Sequence, residues 1–277
     1  MKLHFLCTSW GNELPIEEFV LKVRTAGYDG VEMSIPHDDD AHKRRIHAAI
    51  ADAGLHFVGH HSDTVTADFE KHKAQFLSRL HNLTDGQPLL INSQTGKDFF
   101  SFEQNMELVE LASAFTRESG VRVVHETHRG KFTFAAHVTA PFLLANAHLR
   151  IGADFSHWCN VAETLLHDQE ESLSLAISRA DHIHARVGFA EGPQVPDPRA
   201  PEWKEVLDRH ISWWDRIVTL SRAESKEFLC ITPEFGPYPY MTILPGSQQP
   251  IANQWDINVF MMNLLRERYS RNRIDTP

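Results

Sequence analysis

The sequence predicts an α/β fold, a single closed (β/α)8 barrel built on a parallel sheet. Three observations predict it. Short apolar runs alternate strictly with longer amphipathic ones, eight of each kind can be counted, and no glycine-rich nucleotide turn follows the first run. A doubly wound open sheet is the rival architecture. It normally carries GxGxxG or GxxxxGK[ST] after its first strand, and the turn here reads SWGNELP. At 277 residues the chain has the usual length of a barrel with eight strands.

The elements follow in order. Strand-like runs fall at 3–7, 30–33, 56–59, 89–91, 122–125, 150–153, 182–185 and 228–232. Helical stretches fill the gaps at 16–26, 39–53, 67–83, 102–119, 133–147, 161–178 and 202–223, and a last one spans 251–269. In the second helix Ile46, Ala49, Ile50 and Ala53 recur at helical spacing, which turns one face toward a sheet. The segment GFAEGPQVPDPRAPEW carries four prolines and reads as a long βα loop over about 188–202, because it follows strand 7 and leads into a helix. No repeat, linker or low-complexity segment interrupts the pattern, so residues 1–277 are expected to form one domain.

Composition narrows the function classes. Hydrophobic residues make up 42% of the chain, enough for a sizeable core, and no run approaches the roughly 18 apolar residues of a membrane span. The opening MKLHFLCTSWGNELP lacks the long apolar region of a secretory signal, so a cytoplasmic location is expected. Cys7, Cys159 and Cys230 share no CxxC spacing and read as free thiols. A formal net charge of −10 disfavours contact with nucleic-acid backbones. Eighteen histidines raise the prospect of a metal site.

In a (β/α)8 barrel the active site sits where the strands end. Strand 2 ends GVEMS and supplies Glu32; strand 3 ends VGHHSD and supplies His60, His61 and Asp63. Strand 5 runs into VRVVHETHRG with Glu126 and His128, and strand 6 into DFSHW with Asp154 and His157. Strand 7 ends HIHARVG with His184 and Arg186, and strand 8 ends TPEFG with Glu234. A lone His or Asp at such a position is usually a cap or rim residue. Three carboxylates and one imidazole at one height on four consecutive strands are a costly crowd of charge unless a cation compensates. That donor set suits Mn²⁺ or Mg²⁺, with Co²⁺ or Zn²⁺ behind them.

The series HETHRG, DFSHW, HIHARVG and TPEFG resembles the xylose isomerase-like TIM-barrel family, which groups sugar isomerases and epimerases with AP endonucleases. The resemblance spans nearly the whole chain. It implies metal ligands at Glu126, Asp154, His184 and Glu234 and a substrate contact at His157, with His182 held as a second candidate on strand 7. Two features depart from the family. Position 190 is Ala where several epimerases carry Arg, so either Arg186 replaces it or the substrate differs, and position 132 is Phe where an acidic residue is usual.

Such a site supports metal-assisted proton transfer through an enediolate, with Glu126 and Glu234 as the catalytic pair. Arg186, Trp10, His128, Glu32 and His60 join His157 as expected substrate contacts, and Arg186 has a second reading as a salt bridge that orients Asp154 or Glu234. Trp10, Phe155, Trp158, Phe235 and Tyr238 are candidates for an aromatic wall. The expected partner is a small carbohydrate or keto-sugar, with neither nucleic acid nor membrane. A lyase or dehydratase of a keto-sugar or keto-cyclitol begins with the same enolisation and is the alternative; a non-catalytic metal- or sugar-binding barrel is the remote one. The endonuclease branch requires a further His after strand 4 and an Asp-x-His after strand 7, and the chain has neither. The apolar INVFMMNLL near the C terminus either packs on a second copy, giving a homo-oligomer, or closes the barrel.

Overall fold

The computed structural model describes the backbone of residues 1–271 and the side chains of 1–270. Residues 272–277 of the expected domain lie outside the described residues. Eight parallel strands close into a barrel in sequence order. They are β1 (Lys2–Thr8), β2 (Gly30–Met33), β3 (His56–His61), β4 (Ile91–Ser93), β5 (Val123–Glu126), β6 (Ile151–Ala153), β7 (Ala180–His184) and β8 (Phe228–Thr232). Closure comes from β1 pairing β8, with Phe5 opposite Ile231.

Around them lie α1 (Ile16–Thr25), α2 (Asp40–Asp52), α3 (Phe69–Thr84), α4 (Phe102–Ser119), α5 (Ala136–Ala145), α6 (Phe155–Ala162), α7 (Glu170–Ser178), α8 (Lys204–Ala223) and α9 (Gln254–Arg271). Local chemistry sets their ends. Asp39 and Asp68 cap α2 and α3, Ser101 and Gln104 form a capping box on α4, and Gly120 ends α4 at φ 75°.

Several expected boundaries move. Of the helix read at 161–178 only Glu170–Ser178 forms, as α7; a separate helix, α6, ends at Ala162, and Glu163 and Leu166 between the two adopt φ of 53° and 58°. Strand 4 lies two residues later than read, which puts Asn92 inside the barrel. The long loop over 188–202 is ordered: Gln194 exchanges two hydrogen bonds with Gly236, and Pro201–Trp203 forms a 3₁₀ turn. The C-terminal helix packs on the barrel through buried Ile257, Met261, Met262 and Leu265. No helix among the described residues is long and apolar enough to cross a membrane.

Alternation along the strands sorts the interior into layers. Leu6, Val58, Leu90, Val124 and Cys230 form a closed apolar floor, while the main core lies between strands and helices. One step further toward the strand ends, the inward positions turn polar: Glu32, Asn92, Glu126, His184 and Thr232 are all buried. The floor therefore seats the polar layer in a dry environment.

The floor is tight at β2. A Cβ on Gly30 would lie 2.4 Å from the His56 carbonyl oxygen and 2.7 Å from Leu6 Cδ2. Gly30→Ala is expected to destabilise the fold by about 3 kcal/mol, because backbone cannot yield as a side-chain tip can. Denaturant unfolding with a midpoint unchanged from wild type would refute this.

Candidate active site

The four residues expected to gather do gather. Glu126 ends β5, Asp154 follows β6 and caps α6, His184 ends β7, and Glu234 lies two residues past β8. One ligand atom from each lies within 4.8 Å of the others, and all four residues are buried. The cluster can therefore hold a metal ion. His184 Nδ1 lies 2.9 Å from Glu234 Oε2 and 3.9 Å from Glu126 Oε1, without a directed hydrogen bond to either.

Behind this cluster a second layer fixes its members. His184 Nε2 donates to Glu32 Oε1 at 2.9 Å, and His182 Nε2 donates to Glu32 Oε2 at the same distance. Thr232 Oγ1 also donates to Glu32. Asn92 Nδ2 donates to both Glu32 and Glu126 at 3.0 Å, and Gln94 Nε2 donates to Glu126 at 3.2 Å. Asn92 reaches that position because β6 carries Gly152. A Cβ there would lie 2.3 Å from Asn92 Oδ1.

The electrostatics follow from burial and mutual charge. Burial raises the Glu32 carboxyl pKa, but His184 and His182 outweigh it and hold the group well below the usual carboxylate range. Burial lowers the His184 pKa, yet Glu234, Glu32 and Glu126 together push it well above the ordinary imidazole value. Burial pushes Asp154 up to about 6 even against Arg186, whose guanidinium Nη2 is hydrogen-bonded to it.

A pocket of about 310 Å³ opens above the cluster. Glu126, Glu234, Arg186, Trp10, His128 and His60 all line it. His60 faces Glu126 at 3.4 Å, while its neighbour His61 points out of the barrel to Ser93 and Thr64. Burial moves His128 down to about 4.

Other expectations need correction. Glu32 was expected against substrate, but it lies below the pocket with both oxygens held by buried side chains. His157 is wholly buried and does not line the pocket; its Nε2 accepts from Arg186 at 2.6 Å and its ring lies 3.9 Å from that of His128. Arg186 lines the pocket, and its salt-bridge reading is met: its guanidinium pairs with Asp154 and lies 3.6 Å from Glu234. Of the candidate aromatic wall only Trp10 lines the pocket. Phe155, Trp158 and Phe235 are core residues and Tyr238 is 65% exposed.

Sequence reasoning missed Tyr240, Asn92 and Gln94. Tyr240 stands edge-on to Trp10 at 4.9 Å, with the Arg186 guanidinium 4.9 Å from its ring. It sits on an irregular loop with no periodicity to betray it. Asn92 and Gln94 lie in INSQTGKD at the end of β4, where the sequence offers neutral amides in place of the titratable groups that mark the other strand ends.

No family model matches the chain, and no curated protein matches it. Solved structures do. D-allulose 3-epimerase from Methylomonas sp., in complex with D-allulose, superposes with a TM-score of 0.62 at 12% identity, over 97% of this chain and 98% of that one. The probable 3-DHS dehydratase AsbF from Bacillus anthracis gives 0.58 at 19% identity, over 96% and 99%. Endonuclease IV from Thermus thermophilus gives 0.58 at 15% identity, over 98% and 100%. Three chemistries on one scaffold at such identities establish architecture, and function must be argued from the site. The chain has the xylose isomerase-like TIM-barrel fold.

Proposed function

We propose that this protein is a divalent-metal-dependent isomerase or epimerase of a small sugar or keto-sugar. The observation that carries the reading is the convergence of Glu126, Asp154, His184 and Glu234 beneath a polar pocket. The donor set fits a hard divalent cation, Mn²⁺ or Mg²⁺ first. His184 fits it too: Glu32 fixes the ring through Nε2, which leaves Nδ1 turned toward the carboxylates, the usual arrangement of a carboxylate-supported metal-binding histidine. When bound, the ion supplies Lewis acidity toward a carbonyl and its adjacent hydroxyl.

The chain's own residues do the rest. Glu126 and Glu234 approach from strands three apart around the ring. Glu126 removes the proton next to the carbonyl, with Asn92 and Gln94 donors holding its carboxylate in place. Glu234 returns a proton from the other side, to the same carbon for epimerisation or to its neighbour for isomerisation. Arg186, held by Asp154, presents a cation to substrate oxygens, and Trp10 with Tyr240 walls the chamber against water.

Incubation with Mn²⁺ and a panel of ketoses that includes D-allulose in D₂O tests this reading. Deuterium entering one carbon-bound position of a sugar is the expected result. Failure of every sugar to exchange would sink it. One observation favours dehydration as the second reading. Burial pulls the His60 pKa down, but Glu126, Glu32 and Glu234 raise it above the ordinary value. The pocket wall thus holds an acid able to protonate a leaving hydroxyl, and new conjugated ultraviolet absorbance without exchange into recovered substrate would select that reaction.

Metal loading should depend on pH. A proton on His184 occupies the nitrogen a cation needs, and the surrounding carboxylates of Glu234, Glu32 and Glu126 favour that proton. Apparent Mn²⁺ affinity is therefore expected to fall up to about tenfold for each unit of decreasing pH below the His184 pKa. Titrations at pH 6, 7 and 8 with equal affinities would contradict the assignment of His184.

A further inference from the structure

The far end of the barrel holds a second cavity of about 490 Å³, remote from the catalytic pocket. It opens beside the C-terminal half of α4 and the connection from α5 to β6. Phe102, at the start of α4, stacks on Phe142 of α5 at 4.4 Å. Apolar Ala112, Val123 and Leu149 line part of it.

Its charge is unbalanced. Arg117, Arg122, Arg150 and Lys226 line the cavity against one carboxylate, Asp181. Asp181 is 3% exposed and already shared: Lys226 Nζ lies 2.7 Å away, Arg122 Nη1 2.9 Å and Arg150 Nε 3.6 Å. Glu224, outside the lining, reaches Lys226 at 3.3 Å. Two surplus positive charges remain even with that residue counted, in a chain whose net charge is −10. Arg117 makes no ion pair among the described residues. His125, also 3% exposed, lines the same cavity; Thr95 Oγ1 holds its Nδ1 at 2.8 Å, and no hydrogen bond reaches its Nε2 among the described residues.

We propose that this cavity is a second ligand site, for a compact small-molecule polyanion such as a phosphate ester or a polycarboxylate. Its volume suits a small organic molecule rather than a bare ion. Three guanidinium forks and an ammonium match clustered anionic oxygens, Arg150 and Lys226 being preorganised by Asp181. The apolar lining accepts the carbon skeleton, and the His125 nitrogen adds a neutral polar contact.

Isothermal titration at low salt with pyrophosphate, glucose 6-phosphate and citrate, and glucose as the neutral control, tests the site. At least one anion should bind with Kd below about 1 mM, while glucose should give no heat at this site. Arg117→Glu is the decisive variant, because that side chain is exposed and unpaired among the described residues, so the fold tolerates its change. It should weaken binding by at least about tenfold, and Arg150→Gln should do likewise. Raising the salt should weaken binding as well. Comparing the phosphates with citrate tells which anion chemistry the site prefers. Absence of binding by all three anions, or equal binding by Arg117→Glu and wild type, overturns the proposal.

Discussion

Glu126→Gln is expected to lower turnover by about 10²–10⁴-fold, or roughly 3–5 kcal/mol of barrier, while the protein stays folded. The amide keeps the shape of the carboxylate, and its carbonyl oxygen can still accept from Asn92 or Gln94. It cannot take a proton from carbon. Because Asp154, His184 and Glu234 remain, metal should still bind, more weakly than before. The decisive measurement pairs metal content with solvent-deuterium exchange: retained metal with exchange abolished supports a base at Glu126. A variant that exchanges at the wild-type rate would move the proton transfer to another residue.

Glu32→Ala should produce the largest loss of stability, about 3–5 kcal/mol, from a residue that never meets the pocket. Its two oxygens bind His182, His184, Thr232 and Asn92 in a layer with almost no access to water. Removing it strands all four partners. For a chain of this size the loss corresponds to a fall in Tm of roughly 5–15 °C. Metal affinity should drop as well, by about 10–100-fold, since His184 loses the group that orients it. The sign of the pH effect follows from the depressed carboxyl pKa. The stability Glu32 contributes is present above its unfolded pKa and is lost as pH falls through the carboxylate range, so the variant should lose less stability on acidification than wild type. Thermal melts of variant and wild type that coincide within a degree or two at neutral pH would show that the layer is not coupled as argued.

Much of this site is legible along the chain. VRVVHETHRG places Val124 and Glu126 on one face of β5 and His125 on the other, and the structure keeps that division: Val124 in the floor, Glu126 at the pocket, His125 outside the barrel beside Phe132. The same parity turns His60 inward and His61 outward. Glu32 shows where parity stops. Its inward direction is readable, but whether it meets substrate or sits beneath other side chains depends on height inside the closed cylinder, which no single strand encodes.

What the sequence by itself determined is the alternation of elements, the count of strands, and which residues of each share a face, because periods of 2 and 3.6 residues are properties of one segment and its own side chains. Tertiary structure alone decided the partners. Glu32 meets His182 across 150 positions of chain and Thr232 across 200, and Lys226 meets Asp181 only because the starts of neighbouring strands lie side by side. Closure and stagger of the barrel fix those pairings, and both are sums over all eight strands. Tyr240 and the break between α6 and α7 belong to the same class, since loops take their shape from what they pack against.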